Sequence, residues 1–281
     1  MIDLAAVQLR VKENQPAAVA KGAHMAFSLD HVVIAVSDLD RAMLDYSKLG
    51  FTVLRGGEHP RRGSVNALIV FKDGSYFELI GFPRPVPEFR WWEILQKAGP
   101  GFVDFALLPS NLEADLKEAR SRGFAGGEIE PGGRITPSGE RAEWQTLRPH
   151  SNDLPFLCAD ISPRSLRVPE GDARNHPNGA LGIARLTVAV RDLPTSIENY
   201  RALLPEGWSS SGPNSAVFFC GAAIIELKQP TTGGVPADDA LASHLDQRGE
   251  GLFAVSLRGV RDRKPFDPAL TKGAPLDALP R

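Results

Sequence analysis

The sequence predicts an α+β fold assembled from repeated β-α-β-β-β units, and three observations predict it. A short apolar strand, a capping Asp or Asn and an amphipathic helix recur in that order at residues 28–53, 101–126 and 182–204. A Gly-Phe step follows the helix in the first two repeats, at Gly50-Phe51 and Gly123-Phe124. Apolar segments then come in pairs, with a turn such as Lys72-Asp73-Gly74-Ser75 between them, the signature of a hairpin.

In the first unit the strand runs from Leu29 to Val36 and the helix from Asp38 to about Leu49. Asp38 suits the helix start because its side-chain oxygen can accept an orphan backbone N–H of the first turn. Ala42, Leu44, Tyr46 and Leu49 interleave with Arg41, Asp45 and Lys48, as a helix with one apolar face requires. Strands at 67–71 and 76–82 close the unit. A Pro-rich loop leads to a short helix over 89–98, whose adjacent Trp91 and Trp92 point about 100° apart, so that at least one packs inward.

The second unit has Asn111 as cap, and counting back from the caps sets Asp104 where the first unit has His31. Its late strands fall at 142–148 and 154–161, with Cys158 or Asp160 nearest to the place of Glu78. Residues 162–180, rich in Pro, Gly, Arg and Asn, read as a linker. The third unit, capped by Asp192, carries Arg185 in the histidine place and Glu226 in the place of Glu78. A fourth begins at Gly249, shows one strand over 252–257, and runs out in a Pro-rich tail. The expected organisation is a first module pair at 25–161, the linker, and a degenerate pair at 181–281. Residues 1–24 form an extension without the compact apolar stretch of a secretory peptide. Gly22-Ala23-His24-Met25 is open to being a cloning remnant.

The 281 residues are 42% hydrophobic and 23% charged, an ordinary globular composition. A formal charge of −2 gives no electrostatic reason to expect nucleic acid or an anionic membrane as partner. No apolar run approaches the ~20 residues that span a bilayer. Cys158 and Cys220 sit in apolar contexts and read as buried small hydrophobes, which fits a reducing, cytoplasmic setting. A homodimer is left open.

Two polar residues interrupt the apolar strands of the first unit, His31 in the first strand and Glu78 in the last. Strand alternation gives each one definite face of the sheet. With this pattern the chain resembles the vicinal oxygen chelate superfamily, and within it the glyoxalase-like domain proteins, over most of residues 28–260. The resemblance implies half-open mixed β-sheets of the glyoxalase/dioxygenase type, three modules plus a degenerate fourth. It also implies metal ligands on the first and last strands of a module, where His31 and Glu78 fall.

An imidazole and a carboxylate suit a divalent ion such as Zn, Fe, Mn, Co or Ni. A catalytic metal wants about three protein ligands and an open position, so a third must come from the second unit. Asp104 leads by repeat position, followed by Glu143, His150, Cys158 and Asp160. With one histidine among the clear ligands, Lewis-acid chemistry is favoured over ring-cleaving dioxygenation, with Glu78 as the group that moves a proton. The expected activity is that of a lyase, isomerase or hydrolase on a small oxygenated molecule. A metal-free binding or resistance protein is the alternative, and a His–Glu hydrogen bond without metal is the plain reading of the pair. In the third unit arginine cannot serve as an ordinary metal ligand, so Arg185 and Glu226 read as an ion pair.

His59, Asn66 and His150 are the candidate substrate-binding residues, with Arg62 as a second cation able to hold a carboxylate. Trp144 reads as core, His176 as part of a turn, and His244 as surface. No G-x-S-x-G elbow, phosphate loop, paired C-x-x-C or H-E-x-x-H occurs.

Overall fold

The computed structural model describes residues 26–205, 208–231, 236–262 and 264–279. The N-terminal extension therefore lies outside the described residues. The first unit comprises β1 (Phe27–Ala35), α1 (Leu39–Lys48), β2 (Leu54–His59), β3 (Ser64–Val70) and β4 (Tyr76–Gly81). After α2 (Arg90–Ala98), the second comprises β5 (Gly101–Pro109), α3 (Leu112–Ser121), β6 (Glu130–Ile135), β7 (Arg141–Leu147) and β8 (Phe156–Asp160). The short α4 (Arg164–Arg167) leads to β9 (Gly182–Ala189), α5 (Leu193–Leu203), β10 (Trp208–Gly212), β11 (Ser215–Cys220) and β12 (Ala223–Lys228). Helix α6 (Pro236–Arg248), β13 (Gly251–Arg258) and β14 (Leu276–Ala278) complete the described chain.

The caps are those the sequence indicates. Asp38 accepts from the Arg41 backbone N–H, Asn111 from Ala114 and Asp192 from Thr195. Each satisfies one of the four donors a helix start leaves open.

The first two units make an eight-stranded barrel in the order β1-β4-β3-β2-β6-β7-β8-β5. The resemblance implied a half-open sheet, and the closure is correspondingly slight: β2 meets β6 through one pair, Glu58 and Ile135. The other strands form an open sheet, β10-β11-β12-β9-β13-β14. Here the fourth unit exceeds expectation, since β14 runs parallel beside β13 as β4 does beside β1.

Alternation along β1 explains how the halves join. Val32 and Ile34 enter a core shared with Leu186, Val188 and Leu257 of the open sheet. Val33 and Ala35 face the barrel interior with Trp91, Trp144 and Phe156. Cross-links reinforce the seam: the Tyr46 hydroxyl donates to the Thr271 carbonyl at 2.9 Å and that of Tyr200 to Asp153 at 2.7 Å. Cys158 and Cys220 are both free and buried.

Candidate active site in the barrel

Three irregularities of the strands build the site. Asp30 is an extra residue in β1, since Leu29 pairs with Leu107 and His31 with Ala106. Such a bulge breaks strict alternation and re-aims side chains. It lets Asp30 and His31, neighbours in sequence, meet: Asp30 Oδ2 lies 2.7 Å from His31 Nδ1. A carboxylate can only accept here, so Nδ1 carries the proton and Nε2 is left for the barrel interior. The second irregularity is Val103 in β5, and the third lies at Gly56 in β2.

The Gly56-Gly57 pair carries β2 into the barrel mouth. A Cβ on Gly56 would lie 2.1 Å from the Asn66 side-chain oxygen. Gly57 has φ +134°, and a Cβ there would lie 1.9 Å from the Ile135 carbonyl, at the point of closure. Two residues on, His59 is buried at 5% exposure, with Ser64 Oγ 3.2 Å from its Nδ1 and its Nε2 turned inward.

His31, His59 and Glu78 thereby converge. Nε2 of His31 is 3.6 Å from Glu78 Oε2, and Nε2 of His59 is 3.7 Å from Oε1. Neither contact is a hydrogen bond at that length, so the metal-free His–Glu hydrogen bond does not form. Asn66 orients the carboxylate instead, its amide donating to Oε1 at 2.6 Å.

Burial pushes the His59 imidazole down to about 4, against its ordinary 6.5, so at neutral pH it is uncharged with a lone pair to offer. Burial works to raise the Glu78 carboxyl. The two imidazoles, the Asn66 amide and Arg134 outweigh it and hold the group below the usual carboxylate range. The site thus sets two imidazoles against one carboxylate, a donor set suited to a divalent transition metal. The surroundings suit it too, for metal-bound histidines commonly donate their other N–H to a carboxylate, as His31 does to Asp30. As the side chains stand, no three His, Cys, Asp or Glu groups among the described residues are drawn close enough to grip an ion. Donors around a metal at ~2.0–2.2 Å lie roughly 3–3.5 Å apart, so each histidine nitrogen must come closer to the Glu78 carboxylate than its present 3.6 or 3.7 Å to share an ion with it.

Asp104 was the expected third ligand, and the structure gives it other work. It does hold the place equivalent to His31, each following an extra residue at Asp30 and Val103. Its Oδ2 accepts from Trp91 Nε1 and Arg148 Nη1, each at 2.9 Å, and from Arg90 at 3.2 Å. Its Oδ1 takes the Phe105 backbone N–H. With every acceptor engaged, the carboxylate braces the wall behind the site.

The other candidates also fall elsewhere. His150 is exposed in the β7–β8 turn and is not among the side chains that line this cavity. Glu143 pairs with Arg141 at the rim. Asp160 is taken by Arg164 and Arg167. Cys158 lines the cavity, but burial pushes its thiol up to about 12, far from a thiolate ligand. The residue in the Glu78 place is Phe156, because Ala106 pairs with Phe156 as Val33 pairs with Glu78. Of the substrate-binding candidates His59 and Asn66 are at the site, and Trp144, expected as plain core, lines the cavity.

The stretch expected as a linker supplies a buttress. Arg167, 1% exposed, donates to both oxygens of Asp30 and to the Tyr76 hydroxyl at 2.8 Å. Burial alone would raise the Asp30 carboxyl, yet Arg167, His31 and Arg164 hold it well below its ordinary value. Tyr76 stacks on the His31 ring at 4.6 Å between centroids, and Phe156 meets it edge-on. His176 is likewise structural, accepting from the Thr52 N–H at 3.0 Å and lying 3.1 Å from the Val70 carbonyl. His244 is half-buried against Phe253.

Residues 29–204 match the model of a family described as a glyoxalase-like domain. The chain belongs to the glyoxalase-like domain family. No curated protein matches it. Among solved structures, a hypothetical protein from Staphylococcus aureus aligns with a TM-score of 0.68 at 15% identity, over 90% of this chain and 100% of the other. A mutant of 4-hydroxymandelate synthase from Streptomyces coelicolor gives 0.58 at 16%, over 84% and 71%. A xylose isomerase-like TIM barrel/4-hydroxyphenylpyruvate dioxygenase fusion protein gives 0.51 at 16%, over 90% of this chain and 40% of that one. These likenesses show the fold, and the family places this glyoxalase-like chain in the vicinal oxygen chelate superfamily.

Proposed function

We propose that this glyoxalase-like protein is a metal-dependent enzyme acting on a small oxygenated organic molecule, with His31, His59 and Glu78 as the metal-holding residues. One observation carries the reading: two inward-facing imidazole nitrogens flank the two oxygens of a single buried carboxylate, at distances too long for hydrogen bonds. A divalent ion held there would polarise a substrate carbonyl or enediolate oxygen. Asp30 fixes the tautomer and tilt of His31, and Asn66 pins Oε1 of Glu78. Oε2 of Glu78 is then the atom free to take a proton from the substrate and return it, as lyase or isomerase chemistry needs. Trp91, Trp144 and Phe156 exclude water from that transfer.

A second reading is a ring-cleaving dioxygenase. His59 favours it, because two histidines and one carboxylate with open positions is the donor set of oxygen-activating iron enzymes.

Metal content after mild purification tests the proposal. The expected result is close to one metal per chain in the wild type, lost in His59→Ala and Glu78→Ala and retained in Asp104→Asn. A metal-free wild type that still binds small molecules would overturn it in favour of a binding protein. Oxygen uptake with a catechol panel separates the two enzymatic readings.

A further inference from the structure

The cavity carries more positive charge than its own carboxylates use. Three arginines line it, Arg62, Arg134 and Arg167. Arg167 is spent on Asp30 and Asp160. Arg134 is only 3% exposed, and among the described residues it has no carboxylate partner. Its Nη2 donates to the carbonyls of Leu166 and Arg167, and its Nε is buried without any hydrogen bond. Arg62 makes no ion pair or hydrogen bond through its guanidinium among the described residues. It rests over the rings of Phe89 and Trp91, 5.6 and 5.9 Å from their centroids. Burial and the neighbouring Arg148 both work against its charge.

A buried guanidinium short of acceptors is costly unless something supplies them. Glu78 is the single carboxylate among the lining residues, so Arg62 and Arg134 leave an unbalanced cation, and a bound metal would add to it. Flat rings make up most of the rest of the lining, Trp91, Trp144, Phe156 and Tyr76, with Ile80, Thr146 and Cys158 between them.

We propose that the cavity is built for a small aromatic carboxylate, its carboxylate held by Arg62 and Arg134 and its ring set among the tryptophans. The proposal deepens the enzymatic reading of the same site, but the binding it describes does not need the metal. Free space in the closed cavity is about 20 Å³, room for roughly one water. Entry therefore requires a side chain to leave. Arg62 is the one to do so, being only partly buried, carried by the turn between β2 and β3, and resting on ring faces without a hydrogen bond or ion pair among the described residues. With the ligand in the space it vacates, Arg62 stays off the ring faces and closes over the carboxylate from the mouth, trading cation–π contact for a charge-assisted fork.

Calorimetric titration of metal-stripped protein with benzoate, benzamide, cyclohexanecarboxylate and inorganic phosphate tests this. Benzoate is expected to bind at least about tenfold more tightly than each of the other three, a gap of ~1.4 kcal/mol. Arg62→Gln, on the turn, should erase the preference over benzamide without unfolding the barrel. Arg134→Gln should do the same if it folds, and Arg62→Gln alone decides the matter if it does not. Equal binding of benzoate and benzamide, phosphate binding as tight as benzoate, or an undiminished preference in Arg62→Gln would overturn the proposal. Benzoate selectivity in a protein that takes up no metal would leave this inference standing and sink the metal reading. Metal uptake without selectivity would do the reverse.

Discussion

The barrel and the open sheet share one backbone plan and differ in what is mounted on it. The extra residue Asp30 in β1 has its counterpart in Ala184 of β9, where Ser256 pairs with Arg185 and Leu257 with Ile183. Val103 in β5 corresponds to Phe253 in β13. Gly56 in β2 corresponds to Ser211 in β10. The parallel registers agree as well, for Val33 faces Glu78 as Thr187 faces Glu226. So the irregular strands belong to the fold and persist where no counterpart of the candidate His31, His59 and Glu78 set sits on them. What changes is side-chain choice and one hairpin. Asp30-His31 becomes Ala184-Arg185, and Arg185 lies 3.5 Å from Glu226 as an ion pair. In the barrel β2 continues past Gly57 to His59 and the Arg62 turn, whereas β10 ends at Gly212, the residue equivalent to Gly57. The segment that would bring a second imidazole is missing from the open sheet.

The sharpest way to break this comparison is to make one substitution in both places. Glu78→Gln keeps shape and removes charge, and metal affinity should fall more than about 100-fold, beyond the 10–100-fold typical of losing a residue that only orients a metal ligand. Glu226→Gln should leave metal content and activity unchanged. Arg185→His should gain no metal affinity, since no counterpart of His59 exists there. Metal titrations of the three variants check all of this, and a gain in Arg185→His would show that the hairpin is dispensable.

Asp30→Asn comes next. It takes one of two carboxylates from the buried Arg167 and leaves His31 without its own, and breaking a buried pair from one side typically costs about 3–5 kcal/mol. Urea unfolding of the metal-free protein measures it. A loss under ~1 kcal/mol would mean that Arg164 and Asp160 carry the network without Asp30.

Much of this was legible in the sequence because it depends on local patterns. Caps, helix faces and the repeat order follow from residues a few positions apart, and counting from the caps does set His31, Asp104 and Arg185 in equivalent register. The candidate site was less legible. Asp104 fails as a ligand because Trp91, Arg90 and Arg148 reach it from two other elements, and no spacing rule reports what a carboxylate will meet in three dimensions. Its sequence context makes His59 a loop residue near substrate, whereas the structure ends β2 on it. Its signal was present in Gly56-Gly57, since paired glycines inside a strand mark a bulge and a close backbone approach. Arg167 had no such signal, being a cation in a polar stretch that resembles any linker.

The pH dependence sharpens the comparison from the histidine side. His59 titrates near 4 in the folded chain and at 6.5 when unfolded, so the unfolded state binds the extra proton between those values. Stability is full above pH 6.5 and falls as pH drops towards 4, by at most ~3 kcal/mol for 2.5 pH units of separation. Glu78, also held below its usual value, acts in the same direction at lower pH. The slope between pH 6.5 and 4.5 should shrink in metal-free His59→Gln. An unchanged slope would place the titration in another group.

The smallest effect belongs to the open sheet. Arg185→Met removes the partner of Glu226, yet the two side chains are 22% and 12% exposed and Lys228 Nζ also stands 3.5 Å from Glu226 Oε1. Lys228 keeps a cation beside the carboxylate, and the methionine stem keeps most of the packing that the arginine stem supplied. The change should therefore lie within about 1 kcal/mol, the range of partly exposed ion pairs, and should diminish further in high salt. A loss of 3 kcal/mol or more would mean that this pair is sealed from solvent like Asp30 and Arg167. The open sheet would then hold a buried polar centre of its own, and the contrast between the two halves would narrow to the hairpin alone.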